Sequence, residues 1–435
     1  MRAFALAAAL VAATALPGER LGIAVPVVAA LMLGAVGTAL RVSTLRLSFA
    51  VLAVALATQA ALLDATWVVV LDLAAAWVLA GLAASGLSLQ AVTAPVLRLR
   101  GAPALVPRPS ERHNPALRGA GLGAIVVLPF LLLFLSADAA FAGFASDLPL
   151  PSGTSLLGRI AVLAVVLAAA LGLGLAARGP SSTGRAFARR RLALAEWAIP
   201  LALLDLLFVA FVAVQLAVLF GGHDRVLETT GLTYAEYARS GFWQLLAATT
   251  LTFAVVGATL ACTQPHGRRE RVVLRVLLGG LCGLSFVVLL SALHRLQLYE
   301  HAFGLTRLRL LAEAVALWLG VLLVLATAVV LARAARRRVA PAAVLATSLG
   351  LLAFSLGDPD ERVAERNVDR WLATGRIDLD YLSGLSTDAA PALLRLPNPQ
   401  RDRATSRIRE RVAGDDPWGS ANRSRARARE LLAEQ

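Results

Sequence analysis

Residues 21–40 read LGIAVPVVAALMLGAVGTAL, an unbroken run without one ionisable side chain. An α-helix rises 1.5 Å per residue, so about 20 apolar residues cover the ~30 Å hydrocarbon layer of a bilayer while pairing every backbone N–H and C=O internally. Residues 160–177, 242–262 and 339–356 are equally free of charge. Hydrophobic residues make up 58% of the 435 and charged ones 16%, which is too apolar for the one or two cores a soluble chain of this length would bury. The expected fold class is all-α: a polytopic transmembrane helical bundle of about 11 spans with a small helical extracytoplasmic C-terminal domain. The spans are expected near 3–16, 21–40, 47–63, 66–88, 119–136, 157–177, 195–220, 240–262, 275–293, 308–332 and 339–356.

Sidedness follows from arginine. The chain has no lysine and a formal net charge of +14, and residues 357–435 are formally neutral, with 14 arginines against 14 acids. The excess therefore lies upstream, where arginines gather in alternate connections: Arg41 and Arg46, then clusters within 98–118, 178–191, 268–275 and 333–338. The intervening connections hold only Arg20, Arg225, Arg239, Arg295, Arg307 and Arg309, with Arg159 at the mouth of the sixth span. Positive charge stays in the cytoplasm, so the pattern places the N-terminus inside and the C-terminus outside a bacterial cytoplasmic membrane. It also makes the lipid bilayer the first partner and removes nucleic acid, the usual partner of a basic protein.

Five prolines between residues 90 and 117 rule out a continuous helix there. The expected organisation is N-terminal transmembrane helices over 1–88, a cytoplasmic Pro/Arg linker over 89–118, a second bundle over 119–356 and a helical tail domain over 357–435. The segment from Ala3 to Ala15 could be a cleaved signal peptide or a retained helix; the turn from Pro17 to Arg20 into the next span favours retention.

Two of the arginine-poor connections are rich in polar and aromatic groups. Residues 221–242 carry Tyr234, Glu236 and Arg239; residues 291–313 carry His294, Arg295, Tyr299, Arg309 and Glu313. Arg309 and Glu313 stand i to i+4 at a helix start, a spacing that lets them meet. As a set these residues form a candidate outer-face polar cluster for a headgroup or glycan, although each alone could simply anchor a helix end. Gly231-Leu232-Thr233 and Gly304-Leu305-Thr306 each pair a helix-ending glycine with a capping threonine. Asp72 and Asp205 lie inside expected spans, where a carboxylate needs a partner, a proton or water. Each is a candidate for either interhelical hydrogen bonding or proton relay. Cys262, Cys282 and five unpaired histidines have no metal-ligand spacing, so neither a metal nor a cofactor is expected.

In the tail, Asp358-Pro359-Asp360-Glu361 is a helix start that should run to Thr374, stop at Gly375 and bury Val363, Val368, Trp371 and Leu372. Asp378, Thr387 and Ser420 are expected to cap three further helices. The phrases Gly231 to Arg239, Ser291 to Tyr299, Gly304 to Arg309, Glu365 to Arg370 and Asp378 to Leu382 resemble the bacterial membrane family known as domain of unknown function 4173, with its relative 4153. The resemblance is carried by residues 190–435, and by hydropathy alone before them. It implies a multi-pass membrane protein and supplies no catalytic residue.

Three functions compete on this reading. The first is a non-catalytic envelope protein binding a lipid headgroup, glycan or protein partner at its outer face. The second is a proton-coupled secondary transporter using Asp205 or Asp72. The third is a membrane-embedded transferase or hydrolase, for which no nucleophile or metal motif is visible.

Overall fold

The computed structural model describes residues 20–37, 43–85, 115–138, 141–142, 192–220, 241–265, 267–332 and 338–434, with Ala7, Leu10 and Val11. Among these residues the regular structure is helical throughout. In chain order the helices are α1 Ala24–Gly37, α2 Thr44–Leu62, α3 Thr66–Ser85, α4 Pro115–Ala137, α5 Leu194–Phe220, α6 Phe242–Cys262, α7 Arg268–Phe303, α8 Arg307–Leu331, α9 Val339–Leu356, α10 Pro359–Thr374, α11 Leu379–Ser383, α12 Ala390–Leu393, α13 Gln400–Val412 and α14 Arg423–Ala433.

Eight of these, α2 to α9, are long and apolar enough to cross a bilayer. Their outward faces carry large apolar side chains such as Trp77, Ile125, Leu206 and Val276, each at least 64% exposed. Such a surface is stable only against lipid. The chain is a multi-pass membrane protein. The expected span at 157–177, the one at 3–16 apart from Ala7, Leu10 and Val11, residues 89–114 of the linker and the loop at 221–240 lie outside the described residues. Residues 115–118, expected to end the linker, instead open α4, whose first residue Pro115 suits a position where its missing N–H costs nothing. The span expected at 275–293 is longer than foreseen: α7 has 36 residues, about 54 Å at 1.5 Å per residue. It therefore projects well past a ~30 Å hydrocarbon layer. Arg295 and Tyr299, expected just beyond a span, lie within this helix.

The described residues fall into two compact units. The first comprises Met1–Leu87, Phe303–Ala314 and Val344–Gln435. Its tail core is Val363, Val368, Leu382, Leu385, Leu393 and Ile408, completed by Leu305 and Leu310 from the start of α8. Short helices from fewer than a hundred residues cannot enclose a large core alone, and here the tail closes its core on the membrane helices.

The tail also caps those helices. Asn422 Nδ2 donates to the carbonyls of Ala60 and Leu63, 3.1 and 2.9 Å away, at the end of α2. Asp388 accepts from the N–H groups of Asp64 and Ala65 just ahead of α3, the latter at 2.8 Å. Asn367 Nδ2 donates to Leu305 O, and the Tyr381 hydroxyl accepts from Arg307 N at 2.8 Å, at the start of α8. Ala421 O accepts from Ile23 N, 3.0 Å away, at the start of α1. Helix ends leave four orphan N–H or C=O groups each; the tail satisfies several at the ends of α2, α3 and α8 and at the start of the shorter apolar helix α1, and so gathers those ends on one side. Gly304 ends α7 at φ +80°, against the Asn367 side chain, where a side chain of its own would be strained and crowded.

The tail departs from expectation in four places. Leu372, expected inside, is 62% exposed, because it stands nine positions after the buried Val363, about 180° round the helix from it. Asn422, not Ser420, caps α14, accepting from Arg425 N at 3.2 Å; the Ser420 hydroxyl donates to Arg20 O instead. Thr387 lies inside a short 3₁₀ turn, hydrogen bonded to Ser424, and α13 was not foreseen. Gly375 and Asp378 act as read: the first ends α10 at φ +70°, and the second accepts from Tyr381 N at 2.9 Å.

The second unit comprises Ser88–Ala302 and Val315–Ala343. Phe134 stacks on Phe211 at 4.0 Å and packs edge-on against Phe208 and Phe141, locking α4 to α5. Gly119 and Gly123, four apart on α4, let its backbone approach Ala195 and Pro200 of α5. Thr252 of α6 and Ser285 of α7 share a hydrogen bond of 3.0 Å.

Candidate anion-binding cleft

Within the first unit, the junction of the α2–α3 turn, the α8 start and the tail is built from ion pairs. Asp360, fully buried in the first turn of α10, accepts from Arg307 Nε at 2.7 Å and from Arg307 Nη2, from Trp67 Nε1 at 3.1 Å and from Ser386 N at 2.8 Å. Burial works to raise its pKa, but the Arg307 hydrogen bonds and charge, together with Ser386, outweigh it and hold the carboxyl below its ordinary range. Among the described residues no arginine forms an ion pair with Asp388. Burial pushes it up to about 6 despite the Ser386 and Ser424 hydroxyls and the Asp64 N–H, and the Asp64 charge adds to the rise. Arg425, also buried, pairs with Asp64 at 2.8 Å and with Asp416 at 3.1 Å.

Between these pairs opens a cleft of about 560 Å³ whose wall includes Arg20, Asp64, Trp67, Arg307, Arg411 and Arg425. Four guanidinium groups thus face one lining carboxylate. Arg307 is neutralised by Asp360 and Arg425 by Asp64 and Asp416. Arg411 Nη1 donates to Leu385 O at 2.7 Å and Arg20 Nη1 to Arg411 O at 2.8 Å. Among the described residues neither of these two meets a carboxylate. A guanidinium offers five N–H donors, so both keep donors for an incoming anion, beside an indole face.

The residues singled out from the sequence are distributed differently. Tyr234, Glu236 and Arg239 lie outside the described residues. His294 is exposed on α7, while its neighbour Arg295, about 100° round the helix, is buried, donates to Ala137 O at 2.9 Å and pairs with Asp138. Tyr299 is half-buried on the same helix. Arg309 and Glu313 belong to the first unit; Arg309 donates to Gly304 O, closing the α7–α8 turn. Asp72 is fully buried against Ser355 of α9. Asp205 points its Oδ2 at Gly280 of α7, while Oδ1 is buried without a hydrogen-bond partner among the described residues.

Asp64, Asp360, Asp388, Arg411 and Arg425 were not singled out. The available signal was in the exceptions to charge alternation: Arg20 and Arg307 stand where arginine is scarce, and both line the cleft.

Residues 5–396 match the family described as Domain of unknown function (DUF4153). The chain belongs to that family. It is the second of the two related families named from the motifs, and the match extends through the N-terminal helices, where only hydropathy had pointed. Arg20, Asp64, Trp67, Arg307, Asp360 and Asp388 lie within the family region; Arg411 and Arg425, on α13 and α14, lie beyond it. No curated protein and no solved structure matches the chain.

Proposed function

We propose that this DUF4153 member binds an anionic ligand, a phosphate- or carboxylate-bearing headgroup, in the arginine-lined cleft, and that the cleft opens on the outer face of a bacterial cytoplasmic membrane. The observation that carries the reading is the pair Arg20 and Arg411, two guanidiniums on one cleft wall whose charge no described carboxylate meets. Arginine recognises phosphate and carboxylate through paired, charge-assisted hydrogen bonds. Trp67 adds an amphipathic ring of the kind that sits at headgroup level. Sidedness rests on arginine alternation: the helix ends capped by the tail are those with few arginines. The function is one of binding, with the family's helical bundle as scaffold and the tail as one wall of the cleft.

The test uses the full chain in detergent, measuring binding of phosphatidylglycerol and of phosphatidylcholine by native mass spectrometry. Selective retention of the anionic lipid, weakened about tenfold or more in Arg20→Gln/Arg411→Gln, is expected, since a hydrogen bond to a charged group contributes on the order of 1.5–3 kcal/mol. Equal retention of both lipids, or no change in the double variant, overturns the reading.

A further inference from the structure

Asp72 of α3 and Ser355 of α9 are both fully buried, and Ser355 Oγ lies 2.8 Å from each carboxylate oxygen. The same hydroxyl lies 3.0 Å from Leu351 O, one turn back on α9. A serine hydroxyl carries a single hydrogen, so it cannot serve the carboxylate and the carbonyl together. Two arrangements fit these positions. With Asp72 ionised, the serine hydrogen turns to the carboxylate. With Asp72 neutral, the acid donates its own proton to Oγ and the serine hydrogen returns to Leu351 O, so every hydrogen has an acceptor. The ionised form leaves a buried charge on one hydrogen bond, with no cation paired to it among the described residues. That is a poorly compensated state inside a membrane.

Ser355 also borders a cavity of about 100 Å³ on the tail side, room for several waters. The charged groups on its wall are Asp358, Glu361, Asp388, Arg423 and Arg427, with Gln59 of α2 beside them. Arg427 sits 3.6 Å from Glu361. Asp358 holds φ +45°, a conformation that favours glycine. Its carboxylate does not cap α10, and the residue lines the cavity. Burial raises the pKa of Asp358, Glu361 and Asp388 alike, and all three carboxyl-bearing residues line the one cavity.

We propose that Asp72 is a reversible proton-binding site, loaded from the tail side through this cavity with the Ser355 hydroxyl as the relay. In loading, a transient opening beside the fully buried Ser355 lets a hydronium ion from the cavity give its proton to a lone pair of Ser355 Oγ, and the hydroxyl hydrogen passes to Asp72. One O–H bond forms at the carboxylate, one is replaced at the serine, and water is left behind. The proposal is independent of anion binding, because the cavity and the arginine cleft have no lining residue in common.

Infrared difference spectroscopy of the full chain in lipid nanodiscs, titrated with acid and exchanged into deuterium oxide, reads this site. A carboxylic-acid C=O band that grows on acidification and shifts on deuteration is expected in the wild type. It should vanish in Asp72→Asn and move in Asp72→Glu, which keeps a carboxyl group should the amide variant fail to assemble. In Ser355→Ala the band should shift as its hydrogen bond is lost, and its deuteration should slow by about an order of magnitude or more, the effect of one hydrogen bond on a barrier. A band insensitive to both Asp72 substitutions overturns the site. An Asp72 band that neither titrates nor exchanges marks a sealed structural acid and does the same. Unslowed exchange in Ser355→Ala overturns the relay.

Discussion

Asp360 and Asp388 share Ser386, whose N–H donates to the first and whose hydroxyl donates to the second, yet they respond to protons in opposite senses. Asp360, paired with Arg307, is held below its ordinary pKa, so its stabilising contribution is present at neutral pH and is lost as pH falls through its lowered folded value. Asp388 is raised from 3.8 to about 6. The folded chain binds that proton more tightly than the unfolded one, so its contribution is complete below 3.8 and declines as pH rises toward 6. Over that interval the loss is about 3 kcal/mol. Asparagine at 388 keeps an acceptor for the Asp64 and Ala65 N–H groups but cannot ionise. Asp388→Asn should therefore flatten the fall in thermal midpoint over this range and raise the midpoint at neutral pH, measured by scanning fluorimetry on the full chain. Parallel wild-type and variant curves would mean that Asp388 does not titrate in this window. Nothing about either carboxylate was legible beforehand except that Asp360 suits a first helical turn; what sets their chemistry is Arg307, 53 residues away, and the α2–α3 turn, 324 away.

The same distance separates the elements that could be read from those that could not. Spans, the stop at Gly375, the Asp378 cap and the Gly304 turn depend on residues within a few positions of each other, where hydropathy and local hydrogen bonding decide the outcome. The caps that the tail places on α2 and α3 come from Asn422 and Asp388, hundreds of residues downstream, and leave no local signature. Ser420 and Asn422 are both capping residue types, and only the fold shows that the serine hydroxyl is engaged by Arg20 O. The element-level consequence is that the end of α2 depends on one asparagine. Asn422→Ala removes the partner of two carbonyls and the cap of α14 at once, an expected cost of about 1–3 kcal/mol. Hydrogen exchange should accelerate in residues 60–66 and at the start of α14, with the α7 amides of the other unit unchanged. Uniform acceleration, or none, would show that the turn holds itself.

For the whole molecule, the contacts of the tail supply a constraint that charge counting lacks. The start of α1, the end of α2, the starts of α3 and α8 and the end of α9 all meet the tail, so they share one side, as the alternation of arginine-poor and arginine-rich connections requires of them. In the proposed orientation that side is the outer face, by the rule that arginine is retained in the cytoplasm. Two of the exceptions, Arg20 and Arg307, are engaged by the tail and by Asp360, and a guanidinium with a folded role need not report sidedness. Two exposed positions decide the matter: Thr374 at the end of α10 and Arg269 in the basic start of α7. With Cys262 and Cys282 replaced by alanine, Thr374→Cys should react with a membrane-impermeant maleimide in intact cells, while Arg269→Cys should react only after lysis. The reverse pattern would put the tail and the arginine cleft in the cytoplasm, and the ligand would then have to come from the inner leaflet or the cytosol.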